Sequence, residues 1–441
     1  MNYGEAIRFL YGLQVFGARP GLDTTRHLAA LAGNPQNQLR FIHVAGTNGK
    51  GSTCAMLESI YRAAGLRVGL FTSPHLVSFR ERIQVNRQLI SEADVVRLVS
   101  AGREHGSEFR PAGCGTVPEP ANAGTPNPGD PTLFEFVTVM ALRYFAEQKC
   151  ELVIWETGLG GRLDATNIVT PLASVITNIA LDHQAWLGDT VAKIAAEKAG
   201  IIKPGIPAVT TERDVEALGV IEKVAQENNA PLTRVEFNPA SSLQPPASLS
   251  GPHQQTNAAL AIATTEVLRS IIPVSEEQIA AGLAKVKWPG RLQLITRPSG
   301  QRILLDGAHN IAGVETLLAA LPDGAPTLIL GMLDDKDWRV MCGMLAPLAK
   351  RILLVPVDSA RTAKPIELAA ACRAANPQAD VRCAENLPGA LANAANDAFV
   401  VIAGSLYLIG AALALLDPDF KDVGDERNLN EWSGTAKTTS P

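Results

Sequence analysis

The chain reads as short hydrophobic runs separated by longer stretches in which apolar residues recur every three or four positions. Runs at 41–44, 67–71, 152–155 and 173–177 have the length and β-branched content of strands, and the segments between them have helical periodicity. Such alternation marks parallel sheets whose crossovers are helices, an α/β fold. Helices are predicted at 52–64, closed by Gly65, at 132–148, and at 190–199, closed by Gly200. A second alternating series predicts strands at 303–305, 327–330, 352–355, 381–383 and 399–403. Two units are therefore expected, a larger one over 1–294 and a smaller Rossmann-like one over 295–421, with Trp288-Pro289-Gly290-Arg291 as the hinge between them. Residues 106–131 are rich in Gly, Pro, Asn and Ala and read as a mobile surface insert. Residues 422–441 turn polar and read as a flexible tail.

Two segments bear on membrane association. The first sixteen residues place Glu5, Arg8 and Gln14 in helical rhythm without a basic leader region, as in an amphipathic helix rather than a signal peptide. Residues 399–416 form an uncharged run of about membrane-spanning length. Gly404-Ser405 divides that run into a β-branched piece and an alanine- and leucine-rich piece, so a buried strand, a turn and a buried helix are expected. Hydrophobic residues make up 46% of the 441 and charged residues 19%, which excludes a disordered chain. A net charge of −5 offers no basic field for nucleic acid or anionic membranes. The six cysteines are scattered and form no C-x-x-C pair, so neither a disulfide framework nor a zinc site is suggested. A cytoplasmic chain with reduced thiols is the expectation. No long heptad suggests assembly, and a monomer is expected.

The densest chemical signal is HVAGTNGKGS at 43–52, between a predicted strand and a predicted helix. Glycines there let backbone N–H groups converge on phosphate oxygens, the helix start adds positive potential, and Lys50 supplies a mobile charge. The strict phosphate-loop pattern is not met, because Gly51 stands where Ser or Thr usually follows the lysine. By itself the motif leaves an NTPase, a kinase, a ligase and a plain glycine-rich turn open. Glu156 ends the hydrophobic run at 152–155, and a carboxylate at that edge can hold Mg²⁺ beside phosphates. The loop GLGGRLDATN at 158–167 is too rich in turn residues for a plain connector. His183, Lys198 and Asp306 with His309 stand at the ends of predicted elements. Their local chemistry fits a structural role as well as a functional one.

Together these residues resemble the folylpolyglutamate synthase/dihydrofolate synthase family of the Mur ligase superfamily. The resemblance spans about residues 3–416 and rests on HVAGTNGKGS (43–52), TSPHL (72–76), TLFEF (132–136), ETGLGGRLDATN (156–167), LDHQAWLG (181–188), EKAGIIK (197–203), PGRLQ (289–293), DGAHN (306–310), DDKD (334–337) and GSLYL (404–408). It implies a P-loop ATPase-like first domain and an ATP-dependent ligase that adds L-glutamate to the carboxylate of dihydropteroate or a reduced folate. The route it implies is an acyl phosphate. Gly46, Thr47, Asn48, Gly49, Lys50, Gly51 and Ser52 would hold the ATP phosphates, with Asn257, Arg291 and Asp306 contacting the nucleotide from the far side. Ser73, Glu156 and His183 would hold Mg²⁺. Lys198 matches a lysine that this family carbamylates, and His309 would lie near the phosphates. Thr132, Leu133, Phe134 and Glu135, with Leu163, Asp164 and Ala165, would form the pterin-substrate pocket.

Arg19-Pro20-Gly21 departs from the pattern, since some bifunctional members carry an acidic residue in that region. A monofunctional folylpolyglutamate synthase, or a Mur-type ligase for another acid, is the near alternative. A phosphate-loop switch without amide formation would not need the DGAHN-bearing second unit. A catalytically inert folate-binding module would not need Lys50, Glu156, His183 and Lys198.

Overall fold

The computed structural model describes residues 1–14, 17, 19–105, 130–236, 251–321, 326–421 and 424–430. The first sheet comprises β1 (Phe41–Ala45), β2 (Val68–Phe71), β3 (Ile83–Val85), β4 (Gln88–Leu89), β5 (Leu152–Glu156), β6 (Ala173–Ile176), β7 (Ala208–Thr210) and β8 (Leu232–Arg234). Their spatial order is β4-β3-β2-β5-β1-β6-β7-β8, parallel from β2 to β8, with β3 and β4 joined antiparallel at one edge. Every residue of β1, β2, β5 and β6 is buried. Successive side chains enter opposite cores. Phe41, Phe71, Val153 and Trp155 join the helices Tyr3–Leu13 and Leu133–Glu147, whereas Ile42, Val44, Leu70 and Ile154 join Lys50–Ala63 and Pro252–Val267. Helices on both faces explain why these strands are continuous apolar runs in the sequence.

The second sheet comprises β9 (Gln293–Thr296), β10 (Arg302–Asp306), β11 (Thr327–Leu330), β12 (Arg351–Leu354), β13 (Asp380–Cys383) and β14 (Phe399–Ala403). Its order is β13-β12-β11-β14-β10-β9, parallel except for β9. The uncharged run at 399–416 is β14 followed by the helix Leu406–Leu416. Among the described residues no helix is long and apolar enough to cross a membrane. The expected start of the second unit at 295 is corrected, because β9 begins at Gln293 and the Leu292 side chain is already part of the second core.

The flexible tail expected from 422 is corrected for residues 424–430, which fold back onto the first unit. Glu426 donates its N–H to the Val77 carbonyl at 2.9 Å, and its carboxylate accepts from the Phe79 N–H at 2.8 Å. The Asn430 amide donates to the His75 carbonyl at 2.9 Å. Leu429 is 1% exposed, within the core that holds Phe41 and Trp155. A polar composition concealed one core leucine and two side chains that satisfy buried backbone. Leu429→Ala is therefore expected to cost about 2–5 kcal/mol. Urea unfolding checks this, and an unchanged midpoint would mean the segment is not packed. The insert expected at 106–131 lies outside the described residues from 106 to 129, as do residues 431–441 of the tail.

Candidate active site

The loop after β1 is built so that only glycine fits at two of its positions. Gly46 has φ +150° and Gly49 φ +84°. A Cβ at Gly46 would meet Thr177 Oγ1 at 1.7 Å, and one at Gly49 would meet Asn257 Oδ1 at 2.5 Å. The end of β6 holds the loop. The Thr47 N–H donates to the Asn178 carbonyl at 2.7 Å, the Asn48 N–H to Asn178 Oδ1 at 2.8 Å, and Thr177 Oγ1 to the Asn48 carbonyl at 2.7 Å. Helix Lys50–Ala63 then starts without a side-chain cap, so N–H groups of residues 50–52 have no partner within the helix. Lys50 Nζ donates to the carbonyls of Gly46 and Thr47 at 3.0 and 3.2 Å. Unpartnered N–H groups, the helix dipole and an ammonium together make an anion site suited to phosphate.

Around this loop three further groups converge, from the end of β5, the start of the helix Gln184–Leu187 and the last turn of the helix Val191–Ala199. Glu156 is buried at the end of β5, and its carboxylate accepts from the Ser73 N–H at 3.0 Å. Burial pushes its pKa up to about 7 against the opposing pull of Lys50. His183 sits in the left-handed region, φ +51°, at the start of the short helix Gln184–Leu187. Burial lowers its pKa to about 3. Lys198 Nζ donates to the Gly46 carbonyl at 2.8 Å, and burial, then the nearby charge of Lys50, bring its pKa down to about 7.

The second unit supplies the opposite wall. Asp306 ends β10, and its carboxylate accepts from the N–H groups of Leu292 and Ala308, both at 2.9 Å. It thus fixes the chain just beyond Arg291 as well as facing the cavity. His309 Nδ1 lies 2.7 Å from the Gly307 carbonyl. A carbonyl only accepts, so Nδ1 carries the hydrogen. Burial lowers the pKa to about 4, and Nε2 keeps its lone pair with no hydrogen-bond partner among the described residues. Asn257 donates to Gln254 Oε1 at 3.1 Å.

At the other end of the cavity the polar side chains of the expected pterin pocket are occupied locally. Thr132 and Glu135 form a reciprocal cap on helix Leu133–Glu147, with bonds of 3.2 and 2.8 Å. Asp164 accepts from the N–H groups of Leu159 at 2.7 Å and Thr166 at 3.0 Å. These side chains shape the pocket rather than point freely into it. Leu133, Phe134, Leu163 and Ala165 are the apolar members of this lining, with Phe134 packed over Gly158 and 6.0 Å from the Phe71 ring. Every site residue expected from the sequence, in both units, lines one cavity of about 720 Å³.

Sequence reasoning missed the groups that tie the two walls together. Lys336 Nζ lies 2.7 Å from Asp182 Oδ1, and both side chains are nearly buried. Asn310 donates to the other Asp182 oxygen at 3.1 Å and exchanges amide hydrogen bonds with Asn48 in the phosphate loop. Burial opposes the Asp182 charge, yet His183 and Lys336 hold its carboxyl well below the usual range. Removing one partner strands a buried charge. Lys336→Met is expected to cost about 3–5 kcal/mol, and Lys336→Met with Asp182→Asn to recover most of it. Thermal unfolding of the three variants is the check, and equal losses in single and double variants would deny the pair.

The model of the glutamate ligase domain of Mur ligases matches residues 290–406. The chain is 37% identical over 440 residues to the dihydrofolate synthase/folylpolyglutamate synthase of Bacillus subtilis (strain 168), covering 92% of this chain and 97% of that one. It is 35% identical to the folylpolyglutamate synthase of Lacticaseibacillus casei, covering 93% and 98% of the two chains. Its fold is similar to that of Escherichia coli FolC solved with DHPP and ADP, with TM-score 0.81, 30% identity and coverage of 95% and 98%.

Proposed function

This chain belongs to the dihydrofolate synthase/folylpolyglutamate synthase family, and on that premise we propose that it joins L-glutamate to the carboxylate of dihydropteroate or a reduced folate, converting ATP to ADP and phosphate. The observation that carries this reading is the single cavity into which a phosphate-type loop, an apolar aromatic pocket and the DGAHN edge of the second unit all open.

A carboxylate is a poor electrophile, and transfer of the ATP γ-phosphate to it creates an acyl phosphate with a good leaving group. The unpartnered N–H groups of residues 50–52 and Lys50 would neutralise the transferring phosphoryl group. Asn257, Arg291 and Asp306 would position the nucleotide from the far side. The amine of glutamate then attacks the acyl carbon, and phosphate departs. The neutral His309, with Nε2 open, has the form needed to accept a proton from that amine. Phe134, Leu133, Leu163 and Ala165 would hold the flat pterin, within walls set by Thr132, Glu135 and Asp164. Ser73, Glu156 and His183 offer a hydroxyl, a carboxylate and a neutral imidazole. A buried carboxylate whose pKa is raised to about 7 fits a site completed by a divalent cation. Mg²⁺ bound there would supply positive charge to the phosphates.

Lys198 is proposed to act as its carbamate, and the chain to work as a cytoplasmic monomer. Arg19 lines the cavity and donates to the Asp130 carbonyl at 3.1 Å, and because it stands where some bifunctional members carry an acidic residue, a folate-selective enzyme is the alternative reading. The deciding experiment measures phosphate release from Mg-ATP with L-glutamate, supplied once with dihydropteroate and once with tetrahydrofolate, with mass analysis of the products. Turnover with both, each product heavier by one glutamyl unit, establishes the dual activity. Turnover with tetrahydrofolate alone establishes the selective enzyme. ATP hydrolysis independent of glutamate, with no new amide, overturns the ligase reading.

A further inference from the structure

We propose that Arg82 is a carboxylate-binding residue of this cavity, held toward substrate by a frame of His75 and the C-terminal segment's Asn430. The inference rests on the ligase reading above and adds a specificity residue to it. Arg82 follows the motif TSPHL in a turn that leads into β3, is 7% exposed, and lines the cavity with Ser73, Glu156, Tyr407, Leu429 and Asn430.

Its bonding is incomplete in one direction. Nε donates to His75 Nδ1 at 2.9 Å and Nη2 to Asn430 Oδ1 at 2.6 Å. Both acceptors are neutral, and Nη1 has no protein partner among the described residues. The carboxylates around it, Glu81, Glu156 and Glu426, make no ion pair with it and are hydrogen-bonded elsewhere, Glu156 to the Ser73 N–H at 3.0 Å. Glu81 accepts from the N–H groups of Leu76, Val77 and Ser78 at 2.9, 2.8 and 2.7 Å, and Glu426 accepts from Phe79. The His75 bond fixes the roles within the frame. His75 Nδ1 accepts from the guanidinium, so Nε2 carries the hydrogen donated to the Glu426 carbonyl at 2.8 Å.

A buried guanidinium without an ion pair is costly unless an anion completes it. Burial lowers its pKa only to about 10, so the charge persists at neutral pH. The reaction proposed for this cavity brings carboxylates to it on both the acid substrate and the incoming amino acid, and a planar fork matches either one. The segment 424–430 then has a purpose beyond packing. It supplies Asn430, which sets the fork's orientation, and Arg427 ties it to the Tyr407 carbonyl of the second unit at 3.2 Å.

The test is steady-state kinetics of Arg82→Met, Arg82→Lys and Asn430→Ala in the full chain, with KM measured separately for ATP, L-glutamate and the pteroyl acid. Loss of a charge-assisted contact raises one carboxylate substrate's KM by about 10–100-fold, while KM for ATP stays within about threefold. Arg82→Lys recovers part of the loss, and Asn430→Ala moves the same KM in the same direction by less. A change for glutamate assigns the amino acid's carboxylate, and a change for the pteroyl acid assigns that substrate's own. A lowered Tm with both KM values unmoved makes Arg82 structural and overturns the proposal. If Arg82→Met does not fold, Asn430→Ala alone decides by the same split. If the unmodified chain makes no amide, the ligase reading has failed separately. Calorimetric titration of L-glutamate and of folate into the wild-type and variant chains then decides Arg82, and equal binding or none overturns it.

Discussion

Lys50→Met is expected to leave a folded protein whose glutamate-dependent turnover is about 10²–10³-fold slower, the usual cost of removing one preorganised group from a developing charge. Among the described residues its Nζ hydrogen-bonds only carbonyls of its own loop, at 3.0 and 3.2 Å, so the melting temperature should hardly move. A flexible side chain can exchange such bonds for contacts to a phosphate. The same ammonium lowers the pKa of both Glu156 and Lys198. Removing it raises both, so the acid limb of the residual activity should shift to higher pH. Rapid-quench measurement of phosphate formation across pH 5.5–9 reads rate and shift together (~0.5-unit steps suffice against pKa values near 7). A turnover within threefold of wild type would falsify the role of Lys50 in phosphoryl transfer.

Parts of this site were legible because their chemistry is consecutive with a strand end. Strands β11 and β14 lie at the bounds read from the apolar pattern, since both faces of each are covered. β9 escaped notice because it alternates half-buried and exposed residues along an edge, and β7 and β8 because three residues carry little periodicity. Helix Lys50–Ala63 starts two residues earlier than predicted, because a glycine with φ +84° takes the N-cap position and no capping side chain announces it. The Asp182–Lys336 pair spans 154 positions and the His75–Glu426 contact 351. Neither leaves a local signal, since one lysine among several becomes special only when another unit buries it. The motifs LDH and DDKD supplied the partners, and only the fold made them a pair.

Lys198→Met should lower activity by about 10²-fold, the range seen when a group that organises a metal site is lost, without lowering the melting temperature at pH 6. Burial, then the neighbouring Lys50 charge, bring the folded-state pKa to about 7 from an ordinary 10.5. Between those values the unfolded chain holds a proton that the folded chain lacks, so stability rises with pH through that window. Below about pH 7 the full penalty of a buried ammonium is present. Replacing the amine removes that penalty and gives up one hydrogen bond to the Gly46 carbonyl. A neutral amine at pH 7 is also the form that adds carbon dioxide. On the carbamate reading the N–C bond would form, a proton would leave, and the anion would stand within the cavity wall that holds Glu156 and His183. Wild-type turnover should therefore fall in buffer stripped of carbon dioxide and return on adding bicarbonate, less completely at pH 6 than at pH 8. Lys198→Met should ignore bicarbonate altogether. A carbamate resonance from ¹³C-bicarbonate, present in wild type and missing in the variant, links the kinetics to this side chain. Wild-type turnover indifferent to carbon dioxide, with no such resonance, would leave Lys198 as an amine that serves only to hold the phosphate loop.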